Sequence, residues 1–274
     1  MNLTREMLGV LGIFVWPLIL GPAVRAQEIV TLPTRPGVTQ SFFLAGVPEN
    51  PQAVALLFPG SGGFIRLSRE EETIKFESDN FLVRSRIEFT KRGVVAAVLD
   101  APSDQQSGWG MSDEFRLGAD HFRDIAIVVG DLKKRFPGKP LFLIGTSRGS
   151  TSAAALGARF GQEISGAVLT ATMFRQTGRQ SREPGSGLSR FDFGTIRIPV
   201  LLVHHVGDQC NATPYSGAAR LSDKYPLITV AGGSPPQSGP CDPLSAHGFF
   251  GKESETVEQI VNWMLKRPFQ HEVR

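Results

Sequence analysis

Apolar residues in this chain gather into short solid runs, separated by segments of helical spacing. Positions 53–58, 94–99 and 141–144 are apolar throughout, and 164–170, 199–205 and 227–231 are nearly so. A solid run of that length predicts a strand covered on both faces; strict alternation would predict one solvated face. The stretch 27–46 carries only patches, such as 41–45, and predicts the edge strands of a hairpin. Asn80 can cap a helix over 81–91. Over 115–136, Phe122, Ile125, Ala126, Val129 and Leu132 share one helical stripe, and Pro137-Gly138 is its stop. Further helices are expected from 150 to about 161, over 215–224 and over 254–266. Polar or glycine-rich connections fall at 64–80, at 103–111 with Trp109, at 173–196 and around Cys241 and His247.

Strands alternating with helices predict right-handed crossovers and a mostly parallel sheet with helices on both faces. Ligands of such sheets sit outside the carboxyl ends of the strands. Ser61, Asp100, Ser147, Asp208 and His247 each follow a predicted strand, so they should gather along one edge.

Charge and length narrow the partners. The 274 residues are ample for a buried core, and 29 basic against 26 acidic side chains leave a net charge of +3 with no basic block. A nucleic-acid partner is therefore not expected. The first residues carry Arg5, an apolar run over 8–20 and then Val24-Arg25-Ala26. That order predicts a signal peptide at 1–26 and a mature chain of 27–274, exported to the periplasm or beyond, with no membrane span; an uncleaved anchor is the alternative. In an oxidising compartment the two cysteines, Cys210 and Cys241, are expected to form a disulfide, worth about 3.5 kcal/mol by loop entropy; two buried free thiols are the other possibility.

The candidate chemistry centres on Gly145-Thr146-Ser147-Arg148-Gly149. It follows strand 141–144 directly and runs into a small-residue helix, so Ser147 should stand on a tight corner where glycines permit close backbone approach. The bland alternative is a glycine-rich turn. A serine hydroxyl is a poor nucleophile until a base takes its proton, and His247 is the candidate base. His121 lies in a helical stripe and is expected to be structural; His204 and His205 end a strand, one towards the core and one towards the site rim. Asp208 would hold the imidazole of His247 in one tautomer and is favoured over Asp192 and over Asp242, a loop-capping residue. As neighbours on one strand, His204 and His205 point to opposite faces and make a poor metal pair, so no metal is expected.

The chain resembles the α/β-hydrolase superfamily over essentially its whole mature length. The resemblance rests on the Gly-x-Ser-x-Gly corner at Ser147, Asp208 after a later strand, and His247 before the last helix, in that family's order. It implies a three-layer α/β-hydrolase fold and a Ser147-Asp208-His247 triad. It also implies backbone oxyanion donors at Ser61, within Pro59-Gly60-Ser61-Gly62-Gly63, and at Arg148; relatives often carry His-Gly where this chain has Pro59-Gly60. The 173–196 excursion, with Arg175, Arg179, Arg182 and Arg190, is too short for a separate lid domain. Arg148 could meet an acidic substrate group or a nearby carboxylate such as Asp100. Cys210 and Cys241 flank the acid and histidine loops, so their bridge would tie the two together. The implied activity is hydrolysis of a small-molecule ester or acyl substrate through an acyl-enzyme, with no cofactor. A peptidase, a thioesterase and a non-catalytic binding protein on the same scaffold are the alternatives.

Overall fold

The structure is a computed structural model that describes residues 27–71, 73–175 and 187–274. The leader expected at 1–26 lies outside them, as do Arg179 and Arg182.

An antiparallel hairpin opens the chain, β1 (Glu28–Arg35) with β2 (Val38–Leu44). The solid apolar runs follow as β3 (Ala53–Phe58), β6 (Val94–Leu99), β7 (Leu141–Thr146), β8 (Gly166–Thr170), β9 (Val200–His205) and β10 (Leu227–Val230). Among the described residues they join, with β11 (Glu272–Val273), in a nine-stranded sheet of order β1-β2-β6-β3-β7-β8-β9-β10-β11, parallel from β6 onward. Period-two alternation sorts each strand between two cores. Val54, Leu56, Val95, Leu143 and Leu202 face one side, and Ala55, Leu57, Val98, Ile144 and Val203 face the other. Both faces are covered, which is why the sequence shows runs and not alternation.

Helices α3 (Asp113–Leu117), α4 (Ala119–Arg135) and α5 (Gly149–Phe160) belong to the first side; α1 (Phe81–Arg84), α2 (Arg86–Lys91) and α7 (Glu253–Met264) belong to the second. Several differ from the sequence expectation. The helix expected over 81–91 is capped by Asn80, whose side chain accepts from Leu82 N at 3.1 Å, but divides at Ser85. The helix expected over 115–136 starts earlier, because Ser112 caps Phe115 N at 3.1 Å, and it breaks where Gly118 turns extended at ψ 172°. The helix expected over 215–224 is α6 (Tyr215–Ala219) alone; the chain then tightens into i to i−3 turns, Leu221 N to Ala218 O and Ser222 N to Ala219 O. The irregular 64–80 segment holds a small hairpin, β4 (Ser68–Glu70) with β5 (Thr73–Lys75). A terminal strand, β11 (Glu272–Val273), extends the sheet beside β10. Among the described residues no helix is long and apolar enough to cross a membrane.

The topology decides where a site can form. From β3 the chain moves to one side to make β6, then returns to the other side of β3 to make β7. At that reversal the loops leaving β3 and β7 must diverge and leave a crevice at their carboxyl ends. Phe58 pairs with Gly145, so the Pro59–Gly63 loop and the Ser147 corner emerge side by side.

Candidate active site

Ser147 sits at φ 52°, a left-handed conformation that a non-glycine residue adopts only under constraint. Three contacts supply the constraint. Its amide donates to Thr170 O at 3.0 Å, its carbonyl accepts from Ser150 N at 3.0 Å, and the Ser150 hydroxyl adds a 2.6 Å bond to the same carbonyl. Ser150 Oγ in turn accepts from Met173 N at 3.0 Å. The flanking glycines are steric necessities: a Cβ on Gly145 would lie 2.2 Å from Gly149 O, and one on Gly149 would lie 2.0 Å from Phe58 O.

Asp208 follows β9 in a turn closed by its own amide on His205 O at 3.1 Å. Its side chain is 1% exposed and every observed partner is a donor: Cys210 N to Oδ1 at 2.9 Å, Thr213 Oγ1 to Oδ2 at 2.7 Å, and His247 Nδ1 to Oδ2 at 3.1 Å. A carboxylate only accepts, so Nδ1 carries a hydrogen, and in the neutral imidazole the lone pair then lies on Nε2. Thr213 Oγ1 also lies 3.1 Å from His247 Nδ1, closing a three-membered polar cluster.

His247 stands on a single 3₁₀ turn, Ala246–Gly248, capped by Ser245 Oγ at 3.2 Å from His247 N. The turn is pressed against its own loop, since a Cβ on Gly248 would meet Pro243 O at 1.8 Å. Arg84 clamps it from the second helical layer: the guanidinium donates to Pro243 O and Gly248 O, each at 3.1 Å, and pairs with Glu253 at 2.6 Å. Ser147 and His247 line one cleft of about 110 Å³ together with Gly60, Ser61, Phe64, Asn80 and Pro243. Ser61 is at φ 49° beside the corner, and a Cβ on Gly60 would be 3.0 Å from the Ser147 Cβ. Among the described residues, no carbonyl accepts from the amides of Ser61 or Arg148. Serine, histidine, acid and both amides thus converge on one edge of the sheet.

The Cys210–Cys241 disulfide is formed and joins the Asp208 loop to the rim of the cleft. The remaining candidates take other work. Asp100 accepts from Ile65 N at 2.7 Å, Leu67 N at 3.0 Å and Ala101 N at 2.9 Å, so it cannot serve Arg148. Arg148 pairs with Asp113 at 3.4 Å: a carboxylate partner, as one alternative expected, but a different carboxylate. His121 Nε2 is bonded to Ser152 Oγ at 3.0 Å and is structural. His204 Nε2 accepts from Thr172 N at 2.7 Å, whereas His205 Nδ1 accepts from Gly207 N at 2.9 Å and so steadies the acid turn. Asp192 caps Gly194 N at 2.7 Å, and Asp242 accepts from Gly239 N at 3.1 Å within its loop. Thr213 and Arg84 escaped the sequence reading. Only the nearness of Thr213 to Asp208 in the chain could have flagged one of them.

Comparisons with known proteins agree with this architecture. Residues 88–192 match the family model described as Serine aminopeptidase, S33. That span contains the Ser147 corner and stops short of Asp208 and His247. No curated protein matches the chain. Among solved structures, Est1E from Butyrivibrio proteoclasticus is 15% identical with a TM-score of 0.58, covering 87% of this chain and 98% of its own. A predicted CIB-like hydrolase from Thermoplasma acidophilum is 15% identical with a TM-score of 0.55, covering 90% and 100%. An α/β serine hydrolase without lid from Xanthomonas campestris is 12% identical with a TM-score of 0.53, covering 85% and 94%. The sheet, its helical layers and these matches give the chain the α/β-hydrolase fold.

Proposed function

We propose that the protein hydrolyses carboxylic esters through an acyl-enzyme, with Ser147 as nucleophile, His247 as general base and then acid, and Asp208 as the residue that orients and stabilises the imidazolium. Ser147 Oγ adds to the ester carbonyl carbon as its proton passes to His247 Nε2. The amides of Ser61 and Arg148 receive the oxyanion. His247 then protonates the departing alkoxide, and an alcohol leaves. Water, deprotonated by the same Nε2, attacks the acyl-serine, and the carboxylic acid and free Ser147 are regenerated.

The observation that carries this reading is the common cleft of Ser147 and His247, with His247 Nδ1 on a buried carboxylate. Attack on an ester needs nothing beyond that set and two backbone donors. The relative named Est1E is described with bound ferulic acid, which favours small carboxylic acyl groups. The family model's own description supports a second reading, an aminopeptidase on the same residues. We further propose that the chain works outside the cytoplasm; the leader pattern and the disulfide support this.

A fluorophosphonate serine probe with adduct mapping tests the mechanism. Labelling at Ser147 that disappears in Ser147→Ala and in His247→Ala is expected. Folded protein that takes no label would sink the mechanism and favour a binding role. Turnover of aryl and alkyl esters against aminoacyl amides then separates esterase from peptidase.

A further inference from the structure

Arg116 is fully buried, yet among the described residues no carboxylate accepts from it. Its Nη1 donates to Ser152 Oγ at 2.9 Å, and its Nη2 donates to Ser61 O at 3.2 Å and Pro59 O at 3.4 Å. Its Nε has no hydrogen-bond partner among the described residues. Among the described residues, the charged groups acting on it are the Arg148 guanidinium and the Asp113 carboxylate, and Asp113 already pairs with Arg148. Among the described residues, two guanidiniums thus share one carboxylate, and Arg116 is the one left without it. Burial first, and Arg148 second, pull the Arg116 guanidinium down to about 9, which still leaves it cationic at neutral pH. An unpaired buried cation is costly, so an ordinary packing role does not account for it.

Its contacts say what it faces. Four of the five carbonyls of the Pro59–Gly63 loop are held by donors on the side away from the Ser61 amide. Arg116 takes those of Pro59 and Ser61, Gly63 N takes Gly60 O at 2.9 Å, and Met111 N takes Gly62 O at 2.9 Å. In a trans peptide the N–H points opposite to the C=O, so tying these oxygens back turns the following amides of Gly60, Ser61 and Gly62 outward, as an anion-binding concavity requires. Gly63 must lack a side chain for this, because a Cβ there would lie 2.6 Å from Arg116 Nη2. A cation bonded to the carbonyl end of a peptide also polarises its N–H, here those of Gly60 and Gly62, which flank the Ser61 donor.

We propose that Arg116 is a positioning residue for the oxyanion site: its Nη2, bonded to two loop carbonyls, fixes the Pro59–Gly63 loop with amides facing the cleft, and its positive charge stabilises the negative charge that develops there. The proposal rests on the ester-hydrolysis reading above. Its effect belongs to the transition state, since a neutral ground-state ester carries little charge for the cation to meet.

The experiment compares the mature wild-type protein with Arg116→Met and Arg116→Lys on an aryl ester, and measures the inhibition constant of a boronic acid that forms an anionic serine adduct. For Arg116→Met the expected result is a fall in kcat of about 10–100-fold, KM within about threefold of wild type, and boronate affinity weakened in parallel with kcat. Arg116→Lys keeps the charge but not the Nη1 bond to Ser152 that orients Nη2 on the two carbonyls, and should lose about 3–10-fold in kcat. A folded Arg116→Met enzyme with kcat within threefold of wild type, or with its loss confined to KM, overturns the proposal. Should Arg116→Met fail to fold by circular dichroism, Arg116→Lys decides: kcat and boronate affinity within twofold of wild type overturn it. Wild-type protein that is neither labelled at Ser147 nor active would instead fail the underlying ester-hydrolysis reading.

Discussion

Replacing both cysteines, in Cys210→Ala/Cys241→Ala, separates two contributions of the disulfide. The bridge spans 31 positions in sequence. Freeing a loop of that length returns about 12 cal/mol/K of entropy to the unfolded chain, or roughly 3.5–4 kcal/mol at room temperature. Truncating Cys210, buried against Met173 and Ala212, adds a small apolar loss. For a chain of this size, the sum lowers the thermal midpoint by about 8–15 °C. The local effect is different in kind. The bond from residue 210 N to Asp208 Oδ1 is made by backbone and survives the substitution, so the acid keeps its orientation. The histidine loop, by contrast, keeps the Arg84 clamp but loses its covalent tie to the acid loop. At 20 °C, well below the lowered midpoint, kcat on an aryl ester is therefore expected to fall severalfold, with KM little changed. Differential scanning calorimetry and steady-state kinetics on the same samples provide both readouts. A midpoint within 3 °C of wild type would refute the unfolded-state argument. An unchanged kcat beside a large thermal shift would refute the bracing argument alone.

Three further outcomes follow from single contacts. Thr213→Val removes a 2.7 Å hydroxyl donor to the Asp208 carboxylate without changing shape; about 1.5–3 kcal/mol of stability should be lost in urea titrations, and Thr213→Ser should recover most of it. Gly149→Ala drives a Cβ to 2.0 Å from Phe58 O, backbone against backbone, and should cost about 3 kcal/mol or more; a variant with wild-type stability would mean the corner is not as tight as drawn. The pH dependence follows from His121 and His204, each pushed by burial down to about 3. Their folded values lie below the unfolded value near 6.5, so this stability is present above about pH 6.5 and drains away as pH falls. With two protons bound only by the unfolded chain, about 4 kcal/mol is lost between pH 7 and pH 5, which urea midpoints would register; a flat midpoint across that range contradicts the burial argument.

The parts of this protein that show in its sequence are those whose physics is local. A strand covered on both faces must be apolar at every position, so β3, β6 and β7 announce themselves, as does the glycine-flanked serine that only a sharp corner can use. The terminal strand Glu272–Val273 does not, because two residues paired to β10 carry no period. The polar side chains around the site are hidden for another reason. Arg116 and Asp113 precede the stripe of an amphipathic helix, in positions that pattern reading assigns to solvent, yet both are buried because carbonyls and charges far away in sequence receive them. Arg148 shows the same limit. Asp100 and Asp113 were equally open to it by residue type, and the choice fell to Asp113 because three backbone amides had already filled the oxygens of Asp100. Hydrophobic patterning registers what water excludes, whereas a site is built from polar groups whose partners come from elsewhere in the chain. The departures from pattern therefore cluster beside Ser147, where buried charge has work to do.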